Sequence, residues 1–397
     1  MPGHVHHATI RLSGLTTFRH KDGVLMSGIV VDTDQFDSLI PLLAKRGYAV
    51  IAPTVHEGTI VYDEIATAHD LPIGWVDAQE AGTYRLIERN DGSYFGYTVG
   101  PRTLKTYLFP PRQTLLTITH AETGLAFRPE PIEPPRYAFI GVRACELAAI
   151  EIQDRVFIGN DFADPLYEET RRRSFTVGVN CGVAGATCFC SSMGTGPRCA
   201  NGYDLVVTEI IDTDVHEFVI RSGTAAGEDI LELLEGRPTS VADSLRVNAI
   251  VADTEAHMGR SFPEDDAYQI LTNNLESPVW DAIAERCLSC TNCTLVCPTC
   301  FCSTVEDVTD LEGTAARTRS WDSCFSLDFT NLHGHSVRSS PSSRYRQWMT
   351  HKLAYWYDQF GTSGCVGCGR CITWCPVGID ITAEIINIET RSKVVAK

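Results

Sequence analysis

The chain has 397 residues, a formal net charge of −17 and a hydrophobic fraction of 44%. Its length suggests two or three domains with real cores, and its acidity argues against nucleic acid or anionic membrane as a partner, solubility being the simplest reading of the charge. No apolar run reaches about 18 residues, so no membrane-spanning helix is expected; the first residues lack a basic stretch followed by an apolar one, so a cytoplasmic location is expected. Sixteen cysteines in such a chain point to metal rather than to disulfides.

In chain order, His4, His6 and His7 offer either metal ligands or a frayed terminus, and the frayed terminus is the simpler reading. Residues 48–53 and 58–62 are rich in β-branched side chains and read as strands; 137–142 reads as a strand followed by a helix over 145–155. Further strands are expected at 175–180, 203–211 and 216–221. Strands alternating with helical segments predict an α/β-type domain over residues 1–270, with the polar, acidic stretch 223–266 leading to a boundary near 270. No G-x-G-x-x-G opens a helix after a strand and no P-loop is present, so the sequence shows no nucleotide site.

A cysteine-rich loop spans 181–199. Cys181 follows a predicted strand, and Cys188, Cys190 and Cys199 lie in or beside a glycine-rich segment; Cys145 closes the preceding strand. Open α/β sheets place ligands in loops at the carboxyl ends of their strands. Cys145, Cys181, Cys188 and Cys190 therefore form a candidate third iron–sulfur site, against the alternative of structural or redox-labile thiols, and both remain open.

The decisive pattern lies in residues 271–397. Cys287, Cys290, Cys293 and Cys297 are followed by Pro298, and Cys365, Cys368, Cys371 and Cys375 by Pro376. Both runs read C-x2-C-x2-C-x3-C-P, the ligand run of two-cluster ferredoxins, in which the fourth cysteine serves the other cluster. One [4Fe–4S] cluster is thus expected on Cys287, Cys290, Cys293 and Cys375, the other on Cys365, Cys368, Cys371 and Cys297. A pair of zinc sites fits two identical four-cysteine runs poorly. With every iron held by protein thiolate, the clusters form a wire and leave no open iron for substrate; no catalytic residue is expected.

The motifs are separated by a long insertion, 298–364. Its Cys300, Cys302 and Cys324 either bind metal or pack as small buried thiols, the second being simpler because none is paired C-x2-C. Met349, Leu353, Trp356 and Phe360 share one face of a predicted helix over 343–360, which is expected to pack on the cluster core and leave Arg344, Arg346 and Lys352 solvated. The expected fold class is α+β: an N-terminal α/β-type domain followed by a ferredoxin-like dicluster domain with a long insertion.

Several segments together resemble a known family: 141–147 (Gly-Val-Arg-Ala-Cys-Glu-Leu), Cys188-Phe-Cys190 with 193–197, Cys297-Pro-Thr-Cys300-Phe-Cys302, 321–324, 344–352 and the last cysteine run, extended by 81–85 and 100–105. The chain resembles the β subunit of soluble NAD(P)-linked [NiFe] hydrogenases, or sulfhydrogenases, and is similar to the iron–sulfur A subunit of anaerobic sulfite reductase. Ala144 stands where proline is more usual. The resemblance implies a heteromeric complex in which this chain passes electrons between a flavin/NAD(P)-binding diaphorase subunit and the small subunit of the hydrogenase, whose large subunit is catalytic. The alternative it leaves open is the same role in a sulfite or sulfur reductase.

Overall fold

The computed structural model describes residues 28–98, 100–122, 124–159, 161–311 and 313–395; His4, His6 and His7 lie outside them. An eight-stranded mixed sheet dominates the N-terminal part. Its centre is parallel: strand Ala49–His56 pairs with Tyr137–Arg143, which pairs with Phe175–Val179, which pairs with Leu205–Asp212. Antiparallel partners extend it on both sides, Thr59–Glu64 at one edge and Val215–Ser222, Gly28–Asp32 and the two-residue Arg237–Pro238 at the other.

The two strands that matter most, Tyr137–Arg143 and Phe175–Val179, are buried almost throughout. A strand covered on both faces carries apolar side chains to both, hence Phe139, Ile140 and Val142 in succession. One face meets helix Thr33–Lys45, capped by Asp32, whose side chain accepts from the Gln35 amide at 2.9 Å. Phe36, Leu39, Ile40 and Leu43 of that helix enter the core. The other face meets helix Ala144–Phe157, through Leu147 and Ile150. At Gly141 the pairing with Phe175–Val179 slips by one residue. Its φ of +75° and the closeness of Pro53, 2.9 Å from where a Cβ would stand, require glycine.

The structure adds elements that periodicity did not predict. The insertion folds as a hairpin, Ser303–Thr309 and Ala315–Trp321, which continues through Arg112–Ala121 and Gly124–Pro129 into a four-stranded antiparallel sheet. Residues distant in sequence thus share one sheet.

The C-terminal part is helical. Glu264–Thr272, Val279–Ala284, Pro341–Thr350 and Ile381–Val395 enclose a core that includes Leu271, Trp280, Met349 and Ile385. The helix expected over 343–360 is present as Pro341–Thr350, a wider π turn at His351–Tyr355, and Trp356–Phe360. Met349, Leu353 and Trp356 are buried as expected, but so are Arg344 and Lys352. Their solvation fails because each finds partners inside: Arg344 donates to the Arg338 and Ser339 carbonyls and to Ser289 Oγ, and Lys352 to groups around Cys297.

Candidate metal centres

The first quartet surrounds one cavity. Cys287, Cys290 and Cys293 line it together with Cys375 from the second run. The walls are otherwise largely apolar, with Phe325, Tyr345, Trp348 and Ile381 among them. The second run has its first three cysteines close to Cys297: Cys371 feels Cys365, Cys368 and Cys297 as charged neighbours.

The two runs fold alike. Ser289 and Thr291 have φ of +51° and +69°, and the corresponding Gly367 and Gly369 have +62° and +73°. These left-handed residues turn a short loop so that successive cysteines face inward and amides point at sulfur. Ser289 N lies 3.4 Å from Cys287 Sγ, Gly367 N 3.5 Å from Cys365 Sγ, and Ile379 N 3.3 Å from Cys375 Sγ. Amide donors toward thiolate sulfur are one of the levers that tune iron–sulfur sites. The glycines replace serine and threonine in the second run because that run packs against residues 187–190: a Cβ on Gly367 would come within 2.7 Å of Cys190 Cα, and one on Gly369 would overlap the Thr187 carbonyl.

Burial raises the thiols of Cys293 and Cys371 well above their usual range, and the neighbouring cysteines add to it; burial pushes Cys365 up to about 12. Cys297 goes the other way. The Cys300 thiol beside it, then the Lys352 ammonium, hold it well below the ordinary thiol range despite burial. Among the described residues, no three His, Cys, Asp or Glu side chains converge on a point that holds a single metal ion. Zinc draws thiolates to about 2.3 Å from one centre; the first quartet instead stands around a space, as the corners of an iron–sulfur cube require. Donor set, amide pattern and apolar walls fit [4Fe–4S] clusters.

The remaining cysteines divide. Cys145, Cys181, Cys188 and Cys190 line one further cavity. Cys199 is buried beside Cys181 but does not line it. Cys300 stands beside Cys297, and Cys302 beside Cys324, whose thiol hydrogen bond lowers Cys302 to about 7. Sequence reasoning missed the cations around these thiols. Lys105, Lys352, Arg143 and Arg370 are all buried, and nothing in their local sequence distinguishes them from solvated charges. In the second run, two glycines where the first run has Ser289 and Thr291 signal a close neighbour.

An iron–sulfur protein built around a ferredoxin-type domain is the class this architecture defines, and residues 286–379 match the family model for a 4Fe-4S dicluster domain. Over 303 residues the chain is 31% identical to sulfhydrogenase 2 subunit beta of Pyrococcus furiosus, an alignment covering 75% of this chain and 86% of that protein. The chain belongs to the sulfhydrogenase β-subunit family. No solved structure matches it.

Proposed function

We propose that this chain is the electron-transfer subunit of a hydrogenase complex, relaying electrons between a flavin/NAD(P)-binding diaphorase subunit and the small subunit of a [NiFe] hydrogenase. Two [4Fe–4S] clusters, on Cys287, Cys290, Cys293 and Cys375 and on Cys365, Cys368, Cys371 and Cys297, would each take up and release one electron at a time.

The observation that carries the reading is a shared wall. Cys371, assigned to the second cluster, also lines the cavity of the first. Each run lends its fourth cysteine to the other, so the two sites lie side by side within one apolar core. The protein's own part is to hold the thiolates at fixed positions, point amides at their sulfurs, and wall the inner side of the first cavity with Phe325, Tyr345 and Trp348. The sequence has no dinucleotide fingerprint of its own, which suits a division of labour in which a partner binds flavin and nicotinamide. The relative is a sulfhydrogenase subunit, which favours the hydrogenase over the sulfite reductase reading.

Cys371→Ser in the assembled complex tests this. It should abolish NAD(P)-linked hydrogen turnover while sparing dye-linked hydrogen activation at the catalytic subunit. Unaltered NAD(P)-linked turnover would refute the relay.

A further inference from the structure

We infer that Cys145, Cys181, Cys188 and Cys190 ligate a third iron–sulfur cluster, of the four-iron type, next to the second ferredoxin-type quartet and on the side away from the first. The inference rests on the relay reading above and extends it by one station.

Placement comes first. Helix Ala144–Phe157 begins where strand Tyr137–Arg143 ends, putting Cys145 at the carboxyl end of that strand. Cys181 follows Phe175–Val179, the adjacent parallel strand. The carboxyl ends of neighbouring parallel strands are where such sheets hold ligands. Cys188 and Cys190 come from the loop that closes over this edge. The loop is tied down: Phe189 N donates to the Gly367 carbonyl at 2.8 Å and Thr195 Oγ1 to the Val366 carbonyl at 2.7 Å.

The four thiols line one cavity, as Cys287, Cys290, Cys293 and Cys375 line theirs, and the two spaces are alike in size. Four cysteines around an equal space is the arrangement already read as a four-iron site.

The charge of the walls is the independent sign of an anion. No carboxylate lines the cavity, but two arginines do, and of these Arg370 already has Glu146 as its counter-charge while Arg143 has no carboxylate partner among the described residues. Arg143 is 4% exposed; its Nη2 donates to the Phe95 and Tyr97 carbonyls at 3.0 and 2.8 Å, while Nε and Nη1 have no hydrogen-bond partner. A buried guanidinium with two unmatched donors is costly unless an anion faces it. Four thiolates on an oxidised four-iron core leave two net negative charges. One-electron reduction makes it three, with no bond formed or broken, and the electron comes from or goes to the neighbouring cluster.

That neighbour is identified by Cys368, a ligand of the second quartet, which also lines this cavity; the Cys188 sulfur lies 3.9 Å from the Cys368 carbonyl. Cys371 of the same quartet lines the first cavity. The second cluster therefore stands in the middle, and the third is an end station.

Iron and acid-labile sulfide counts on the full chain purified anaerobically, with EPR after dithionite, test this. About twelve irons are expected for the native sequence, about eight for Cys188→Ala and for Cys181→Ala with both ferredoxin-type signals retained, and about twelve for Cys199→Ala. Cys181→Ala decides the matter if Cys188→Ala disturbs the second run. Native iron content in Cys181→Ala, or about eight irons in the native protein, would overturn the third site and leave the relay standing; about four in the native protein would overturn the relay reading itself.

Discussion

The Lys352 ammonium lies 3.3 Å from the sulfur of Cys297. It also donates to Thr299 Oγ1 at 2.7 Å and to the Gly364 carbonyl at 2.9 Å. No ion pair to a carboxylate is present at Lys352 among the described residues, so thiolate is its counter-charge. A cation against a ligand sulfur stabilises the reduced, more negative state of the cluster that sulfur would hold. Lys352→Met should make the midpoint potential of that cluster more negative and leave the other nearly unmoved, read by EPR-monitored redox titration. The Thr299–Gly364 hydrogen bond of 2.7 Å survives the change, so the fold should persist. An unmoved potential would mean that Cys297 is not a ligand.

The proposed crossed ligation assigns the fourth cysteine of each run to the other run's first three. Cys375 lines the cavity of Cys287, Cys290 and Cys293 although it ends the other run. Cys375→Ser should therefore disturb the same EPR signal as Cys287→Ser, and Cys297→Ser the same signal as Cys365→Ser. Pairing by run, with Cys375→Ser matching Cys365→Ser, would reject the interlocked arrangement.

How much of this was legible beforehand depends on whether the determinant is local. The cysteine runs and the strand–helix–strand path from Tyr137 to Val179 are local patterns, and residues 137–142, 145–155 and 175–180 were predicted close to where they occur. Cys145 and Cys181 could be grouped because strand ends gather ligands. The hairpin of the insertion was not legible, because what makes Ala315–Trp321 a strand is its pairing with Arg112–Ala121, some two hundred residues earlier. Lys352 was misassigned for a related reason. Periodicity places a charge on a helix face, but whether that face meets water or a thiolate is decided by residues elsewhere in the chain.

A glycine of the second run and one just before it give a stability contrast. Gly369 (φ +73°) and Gly361 (φ +68°) share a left-handed conformation, but only Gly369 faces protein, whereas nothing lies within 4 Å of a Cβ at Gly361. Gly361→Ala should cost about 1–2 kcal/mol, the left-handed penalty alone. Gly369→Ala adds an overlap with the Thr187 backbone that can be relieved only by lifting the run off residues 187–190. It should lower the temperature at which cluster absorbance is lost far more than Gly361→Ala does. Equal shifts would show that the seating on Thr187 contributes nothing.

The same contact is braced from the next residue. Arg370 and Glu146 form an ion pair at 2.5 Å with side chains 5% and 1% exposed. Arg370 Nε also donates to the Gly100 carbonyl at 2.9 Å, and the Leu104 amide donates to Glu146 at 3.2 Å. Burial alone would lower the Arg370 proton affinity; Glu146, then Cys368, outweigh it and hold the guanidinium above its ordinary range. Glu146→Gln keeps the shape and removes the charge, stranding a buried cation at a cost of about 3–5 kcal/mol. Replacing both, as Glu146→Leu with Arg370→Met, removes the stranded charge together with the pair and should recover part of that loss. Thermal loss of cluster absorbance should thus come earliest for Glu146→Gln and later for the double variant. If the double variant were the weaker, the pair would be a net source of stability rather than a device that fixes how the second cysteine run meets helix Ala144–Phe157.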